Sequence, residues 1–309
     1  MTITSLNKDE FFTNFQQTSN VFLSKEHLDI HLDNNKNCIY LVNLKSNLGI
    51  FLGIHGEKAR NPYAAPFGGI LSKDNRTDWT TINEFILDLT AYLGSIGIKN
   101  LLLSLPAPFY ASNSSTKIIN SLVVGNFSIK VTPEINSHIL LFNHDKLNYP
   151  KNIKEIIRKT SRHGLTISEV NDEAEKLTAY RIVEDNRASK SRAMSISYSH
   201  LRSMDAVCDT RFFIVKNSNS EPLASAITFK SADSVVYAQF WGDNLIGRDL
   251  NAMDFLCVSL IDKFKYEGWS IFDLGISTEN GTPNSGLLRF KESHLFMSTL
   301  RIVVDVQIS

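Results

Sequence analysis

The stretch Phe240–Ser277, FWGDNLIGRDLNAMDFLCVSLIDKFKYEGWSIFDLGIS, decides the fold. It reads as the end of a strand, a loop, a helix, a glycine and a second strand. Met253, Leu256, Cys257, Leu260, Ile261 and Phe264 recur at steps of three and four, the spacing of one buried helical face. Gly268 ends that helix, and SIFDLGI resumes as an apolar strand. The loop before the helix carries Gly242, Asn244, Gly247, Arg248 and Asp249.

The same unit stands earlier in the chain. Asp78 precedes WTTINEFILDLTAYLGSIG, with Ile82, Phe85, Ile86, Leu89 and Leu93 on one face. Gly97 closes it, and IKNLLLSLP follows as a buried strand stopped by Pro106. The offset from Asp78 to Gly97 equals that from Asp249 to Gly268. Phe85, Leu89, Leu93 and Leu101 fall opposite Leu256, Leu260, Phe264 and Phe272 in the same register. The spacing predicts two helices, N-capped by Asp78 and Asp249, in two related α/β lobes.

Working outward, Cys38–Asn43 and Leu48–His55 read as a hairpin around the polar turn Lys45–Asn47. NYPKN, at Asn148–Asn152, breaks a strand-like HILLFN and sets the joint, giving domains 1–150 and 151–309. A helix over Ile153–His163 is basic on its outer face through Lys154, Arg158, Lys159 and Arg162. The strand LTISEV, a helix over Glu173–Lys190 and a short helix over Ser199–Ala206 follow. RFFIVKN, PLASAITFK and SVVYAQFW then form an antiparallel meander.

Bulk properties narrow the function. The 309 residues suffice for two domains, and 43% hydrophobic with 21% charged residues is a globular balance. Lys+Arg and Asp+Glu are both 32, so no global field draws in nucleic acid. Cys38, Cys208 and Cys257 are far apart, without metal-ligand spacing, as in a reducing compartment. Met1–Asn20 lacks a basic-then-apolar leader pattern, and no apolar run approaches the ~18 residues that span a bilayer. The expectation is a cytoplasmic protein with no metal; oligomeric state is not encoded in these features.

The words NIKEIIRKTSRHGLTISEV, EDNRASKSRA, GRDLNAMDFL and GLLRFKESHLF, in this order, resemble the FemAB-type branch of the GNAT acyltransferases, relatives of the Fem peptidyl transferases. PYAAPFGG in the first half is similar to a phrase of bacterial members. The resemblance implies an α+β fold of two tandem GNAT-like domains, each a mixed, mostly antiparallel sheet flanked by helices. It implies transfer of an acyl group to an amine or hydroxyl of a small-molecule acceptor, such as an amino sugar or cell-envelope precursor. The implied donor is acyl-CoA or acetyl-CoA, with aminoacyl-tRNA as the alternative; the neutral net charge does not favour tRNA.

In GNAT enzymes the loop after the central strand holds a pyrophosphate on amides at a helix N-terminus. Asn244, Gly247 and Asp249 take the places of that motif, and Trp241 and Arg248 flank it. Asp249 departs from the pattern, because a carboxylate repels a pyrophosphate; Arg248 can compensate. Asp273, at the strand end in FDLG, is a candidate proton acceptor, or a carboxylate bonding loop amides. Tyr237, a candidate catalytic group, and Gln239 alternate with Trp241 on one strand face, as acceptor-site residues or as half-buried sheet residues.

Arg289 and Lys291 match the Fem-type arginine–phenylalanine–lysine word, which implies a cation beside a phosphate or the reacting carbonyl. The alternative is surface charges flanking a buried Phe290. Asn186, Arg187 and Lys190 match another family word and imply a grip on the acceptor; otherwise they complement a helix C-terminus. Tyr63 and Phe67 of PYAAPFGG are expected in a wall of an interdomain cleft or in a tight loop. His294 is a candidate base or a structural histidine. The first lobe has SKDNRTD at Ser72–Asp78, without Gly-Arg, and is expected to be non-catalytic. A binding module without chemistry is the third reading, resting on Asp249.

Overall fold

The computed structural model describes residues 2–15, 20–31, 38–73, 78–110 and 114–308. Residues 74–77 of the SKDNRTD loop lie outside them. In chain order the strands are β1 (Ile3–Leu6), β2 (Cys38–Asn43), β3 (Leu48–His55), β4 (Lys58–Asn61), β5 (Leu71–Ser72), β6 (Asn100–Leu105), β7 (Ile129–Leu140), β8 (Thr166–Val170), β9 (Arg211–Lys216), β10 (Pro222–Ala232), β11 (Val235–Asp243), β12 (Ile271–Ile276), β13 (Thr278–Glu279), β14 (Thr282–Pro283) and β15 (Met297–Gln307). The α-helices are α1 (Lys8–Asn14), α2 (Lys25–His31), α3 (Trp79–Ser95), α4 (Ser114–Val124), α5 (Lys151–Arg162), α6 (Glu173–Ala188), α7 (Tyr198–Ser203), α8 (Asp205–Cys208), α9 (Leu245–Asp249), α10 (Ala252–Tyr266) and α11 (Ser285–Ser293). None of the described helices is long and apolar enough to cross a membrane.

Two compact units share the chain. One comprises Met1–Ile135, Thr278–Thr282 and Thr299–Ser309; the other comprises Asn136–Ser277 and Pro283–Ser298. Residues 136–150 therefore pack with the second unit, and most of the closing strand β15 packs with the first.

The first unit orders its strands β1-β2-β3-β4-β6-β15, then the first part of β7, with β5 beside β3. Its neighbours are antiparallel at β1/β2, β2/β3, β3/β4 and β6/β15, and parallel at β4/β6. The parallel pair needs a crossover, and α3 supplies it. Ile82, Phe85, Ile86, Leu89 and Leu93 of α3 are buried against Leu101, Leu103, Val304 and Val306. Asp78 caps α3, accepting from the Thr81 amide at 2.9 Å, as its spacing predicts. A second cluster holds Phe11, Phe12, Phe15, Tyr40 and Phe51.

The second unit runs from the last part of β7 through β12, β11, β10, β9 and β8. The expected meander is present, and β11/β12 is the parallel pair, bridged by α10. Leu256, Leu260, Phe264 and Phe272 are at most 1% exposed, as are Phe85, Leu89, Leu93 and Leu101 at the matching places. Gly97 and Gly268 end the two helices with φ +82° and +83°, a conformation that L side chains adopt at a cost. Arg211 of β9 ion-pairs with Glu169 of β8 and Glu267 after α10, each at 2.6 Å. The guanidinium holds the Glu267 carboxyl down at about 2. This network pins the C-terminal end of α10, so its N-terminal end has a defined position.

The start of α10 differs from the expectation. Asp249 does not cap it; Asp249 is the last residue of the short helix α9 and is exposed. The N-cap is Asn251, in the left-handed region at φ 56°. The loop of the second unit is long enough to fold a helical turn of its own, which spacing relative to Asp78 does not reveal.

Candidate functional site

β11 and β12 pair only over Val235↔Ile271, Val236↔Phe272 and Tyr237↔Asp273. Beyond Tyr237 the two strands part, because β12 is irregular between Asp273 and Ile276, where it pairs with β7. Gly275 adopts φ +67°, and an added Cβ there would come within 3.0 Å of the Tyr237 hydroxyl. Asp273 accepts from the Asn136 amide nitrogen and from Gly275 N–H, both at 2.8 Å. Lys291 of α11 donates to the carbonyls of Leu274 and Gly275 at 2.9 Å and of Ile276 at 3.2 Å.

Asp273, Lys291 and Tyr237, expected as catalytic groups, thus meet around Gly275. Asp273 is 0% and Lys291 1% exposed. Burial pushes the Lys291 ammonium down to about 7, opposed by Asp273 and Cys257. The reading of Lys291 as a surface charge is corrected: the side chain is buried, and its nitrogen donates to three carbonyls of the irregular segment of β12.

At the far end of β11 lies a cavity of about 340 Å³, lined by Asn186, Lys190, Trp241, Gly242, Asp243, Arg248, Asn251, Met253, Asp254, Leu287 and Phe290. This is a small-molecule size. Trp241 and Phe290 stand edge to face with centroids 5.5 Å apart. Asn186 donates to the Asp243 carbonyl at 2.7 Å and to its carboxylate at 2.8 Å, while its own oxygen accepts from Lys190 at 2.8 Å. Arg248 donates to the same Asp243 carboxylate at 3.2 Å. Gly242 permits this packing, since a Cβ there would sit 2.8 Å from Asn186. Burial pushes the Lys190 ammonium downward, and Arg248, Arg192 and Arg187 add to the shift while Asp243 opposes it. Such a cation gains by meeting an anion.

Four of the expected residues, Asn186, Lys190, Trp241 and Arg248, are therefore brought together. Asn244 and Gly247, expected to hold the donor, are not among the residues that line the cavity and have another task. Asn244 caps α9 by accepting from Gly247 N–H at 2.8 Å, and donates to the Pro222 carbonyl at 2.8 Å. Gly247 is required by close approach: an added Cβ would lie 2.4 Å from the Leu223 carbonyl oxygen. The Gly247 amide is thus engaged within the loop.

The others lie elsewhere. Arg187 bonds the Ala193 carbonyl at 3.0 Å and sits over Phe240. Arg289 is exposed on α11, whose Leu287 and Phe290 line the cavity instead. Gln239 is half-buried, with its side-chain oxygen lacking a hydrogen-bond partner. In the first unit, Tyr63 packs against Gly53, and Phe67 is enclosed by Phe22, Tyr110 and Arg301. Asp243, Asn251, Asp254 and Leu287 were not singled out by sequence, and Met253 was read only as part of a buried helical face. Their signal was the i, i+3 spacing of Asn251–Asp254 and Leu287–Phe290, which means a shared face only once the helix start is known.

No family model matches the sequence, and no curated protein matches it. Solved structures do. FemX superposes with a TM-score of 0.65 at 9% identity, covering 98% of this chain and 97% of that one. The C-terminal domain of a protein from Agrobacterium fabrum, named as a lysylphosphatidylglycerol synthetase, gives 0.64 at 12%, covering 98% and 93%. A tandem GNAT protein from the clavulanic acid biosynthesis pathway gives 0.53 at 10%, covering 99% and 98%. The chain carries the tandem GNAT-like fold of these structures.

Proposed function

We propose that this chain transfers an acyl group from acyl-coenzyme A to an amine of an amino sugar or other cell-envelope precursor, with the donor in the cavity at the end of β11. The observation that carries this reading is the parting of β11 from β12 after Tyr237, beside a cavity with an aromatic wall and two cations. The uncovered edge of β11 offers backbone amides to the donor carbonyl, and one such donor supplies about 3 kcal/mol in the transition state. Lys190 and Arg248 meet the phosphates, and Trp241 and Phe290 the uncharged arm. Holding the two reactants together adds up to ~7–11 kcal/mol. The first unit is read as non-catalytic, and Asp273 and Lys291 as the frame that keeps the strands apart.

A second reading, transfer from aminoacyl-tRNA, is favoured by the Gly247 amide, which Asn244 engages at 2.8 Å and which is not offered to a pyrophosphate. The higher TM-scores of FemX and of the protein named as a lysylphosphatidylglycerol synthetase point the same way.

Thermal unfolding with coenzyme A, acetyl-coenzyme A and charged tRNA separates the two. A ligand at 100 times its Kd adds about 2.7 kcal/mol of stability. Coenzyme A should stabilise the wild type, and Lys190→Gln should remove most of that gain. Stabilisation by charged tRNA alone selects the second reading; no response to any of the three defeats both. Independently, Asn284 caps α11 by accepting from Leu287 N–H at 3.0 Å. Asn284→Ala should cost about 1 kcal/mol in urea unfolding and loosen donor binding through Leu287 and Phe290.

A further inference from the structure

His294 closes α11 and is 0% exposed. Its Nδ1 lies 2.8 Å from the Phe290 carbonyl, which can only accept, and 3.3 Å from the Ser293 hydroxyl, which gives its own hydrogen to that carbonyl at 2.8 Å, so Nδ1 carries a hydrogen. Its Nε2 is buried, 3.3 Å from a carboxylate oxygen of Asp254. A neutral imidazole protonated at Nδ1 would leave a bare, buried Nε2 lone pair close to a carboxylate oxygen, two acceptors with no donor between them. One additional proton between them removes the conflict. Asp254 stands in the first turn of α10, where the helix dipole favours a negative charge, so the proton belongs on Nε2. No hydrogen bond at Nε2 meets ordinary geometry, so the two groups are close without being aligned.

Asp254 also lines the cavity, with Phe290, whose ring packs on His294 at 4.4 Å. The other groups near the pair do not supply the missing proton. Tyr149 presents its ring at 6.4 Å and bonds His144 through its hydroxyl. Lys291 turns its nitrogen to the β12 carbonyls. Cys257 is buried, its thiol pushed well up by burial. Lys190 and Arg248 are the cations in the same cavity.

We propose that an imidazolium at His294 faces the Asp254 carboxylate, and that Asp254 passes this proton to the leaving atom of the donor. The proposal rests on the acyl-transfer reading above. The amine nitrogen bonds the acyl carbon, the carbon–sulfur bond breaks, and its electron pair goes to sulfur with the proton from the pair. The proton lost by nitrogen then restores the pair, so thioester and amine become amide and thiol. Asp254 touches the donor; His294 is a positioning residue that holds the proton.

The test is the nitrogen NMR spectrum of histidine-labelled, unliganded protein at pH 7. Both ring nitrogens of His294 should be protonated, and Asp254→Asn should return it to a single neutral tautomer. A neutral His294 in the wild type overturns the proposal. In single turnovers with hydroxylamine as acceptor, Asp254→Asn should slow acetyl-coenzyme A cleavage about 100-fold. It should slow a 4-nitrothiophenyl thioester, whose leaving group needs no proton, less than about threefold by the same reasoning. Equal loss on both donors overturns proton delivery. A wild type inactive on both defeats the acyl-coenzyme A reading, while the spectrum still decides the proton.

Discussion

Lys291→Met should destabilise the second unit by about 3 kcal/mol or more, the cost of leaving several buried carbonyls without a donor. The methionine keeps most of the volume, so the loss reports hydrogen bonds rather than a cavity. This one nitrogen donates to three carbonyls, those of Leu274, Gly275 and Ile276. The same substitution should change the pH dependence of stability. The Lys291 amine is pushed down to about 7 from 10.5 in the unfolded chain. Between those values the unfolded state binds more protons, so wild-type stability rises with pH, by up to about 1.4 kcal/mol per unit. Below about 7 both states are protonated and that slope vanishes. Urea unfolding at pH 7 and pH 9 measures it: the wild type should gain relative to Lys291→Met. Equal slopes would mean that Lys291 stays charged throughout, held by its three acceptors.

Gly247→Ala should cost about 1–3 kcal/mol, the usual range for overpacking, and should weaken donor binding at least about tenfold, since 1.4 kcal/mol of misplaced contact is a factor of ten. The new Cβ would meet the Leu223 carbonyl oxygen at 2.4 Å and its carbon at 3.1 Å. Backbone cannot swing aside as a side-chain tip can. Asn244 N–H is bonded to the same carbonyl at 3.0 Å, so the loop is stapled where the clash falls. Relief requires α9 to move away from β10, carrying Arg248 with it. Calorimetric titration with coenzyme A, beside a urea unfolding curve, separates the two effects. Full affinity in a folded variant would place the donor away from this loop.

The roles of Lys291 and Gly247 were legible in the sequence to different degrees. The apolar spacing in Asp78–Leu105 and Leu256–Phe272, the paired glycines Gly97 and Gly268, and the strands of the meander were readable from sequence. Periodicity records which face of a helix or strand is buried, and a glycine after a helix records a left-handed turn. The grouping of Asn186, near the end of α6, with Lys190, in the turn just beyond it, was readable for the same local reason. The start of α10 was not, because Asn251 rather than Asp249 becomes its N-cap only after α9 has folded into the loop and Gly247 has docked on Leu223.

The amino-acid sequence alone determined a tandem of α/β units, their buried helical faces and the loop beside the cavity. Tertiary structure decided which charges are usable. Asp273 finds Asn136 across 137 positions of chain, and Lys291 reaches back to residues 274–276. Those meetings seal both groups in the core and leave Asp254, with His294 behind it, facing the cavity. The physical reason is range: local spacing reports burial, but the partner of a buried charge is set by where distant segments of chain are packed.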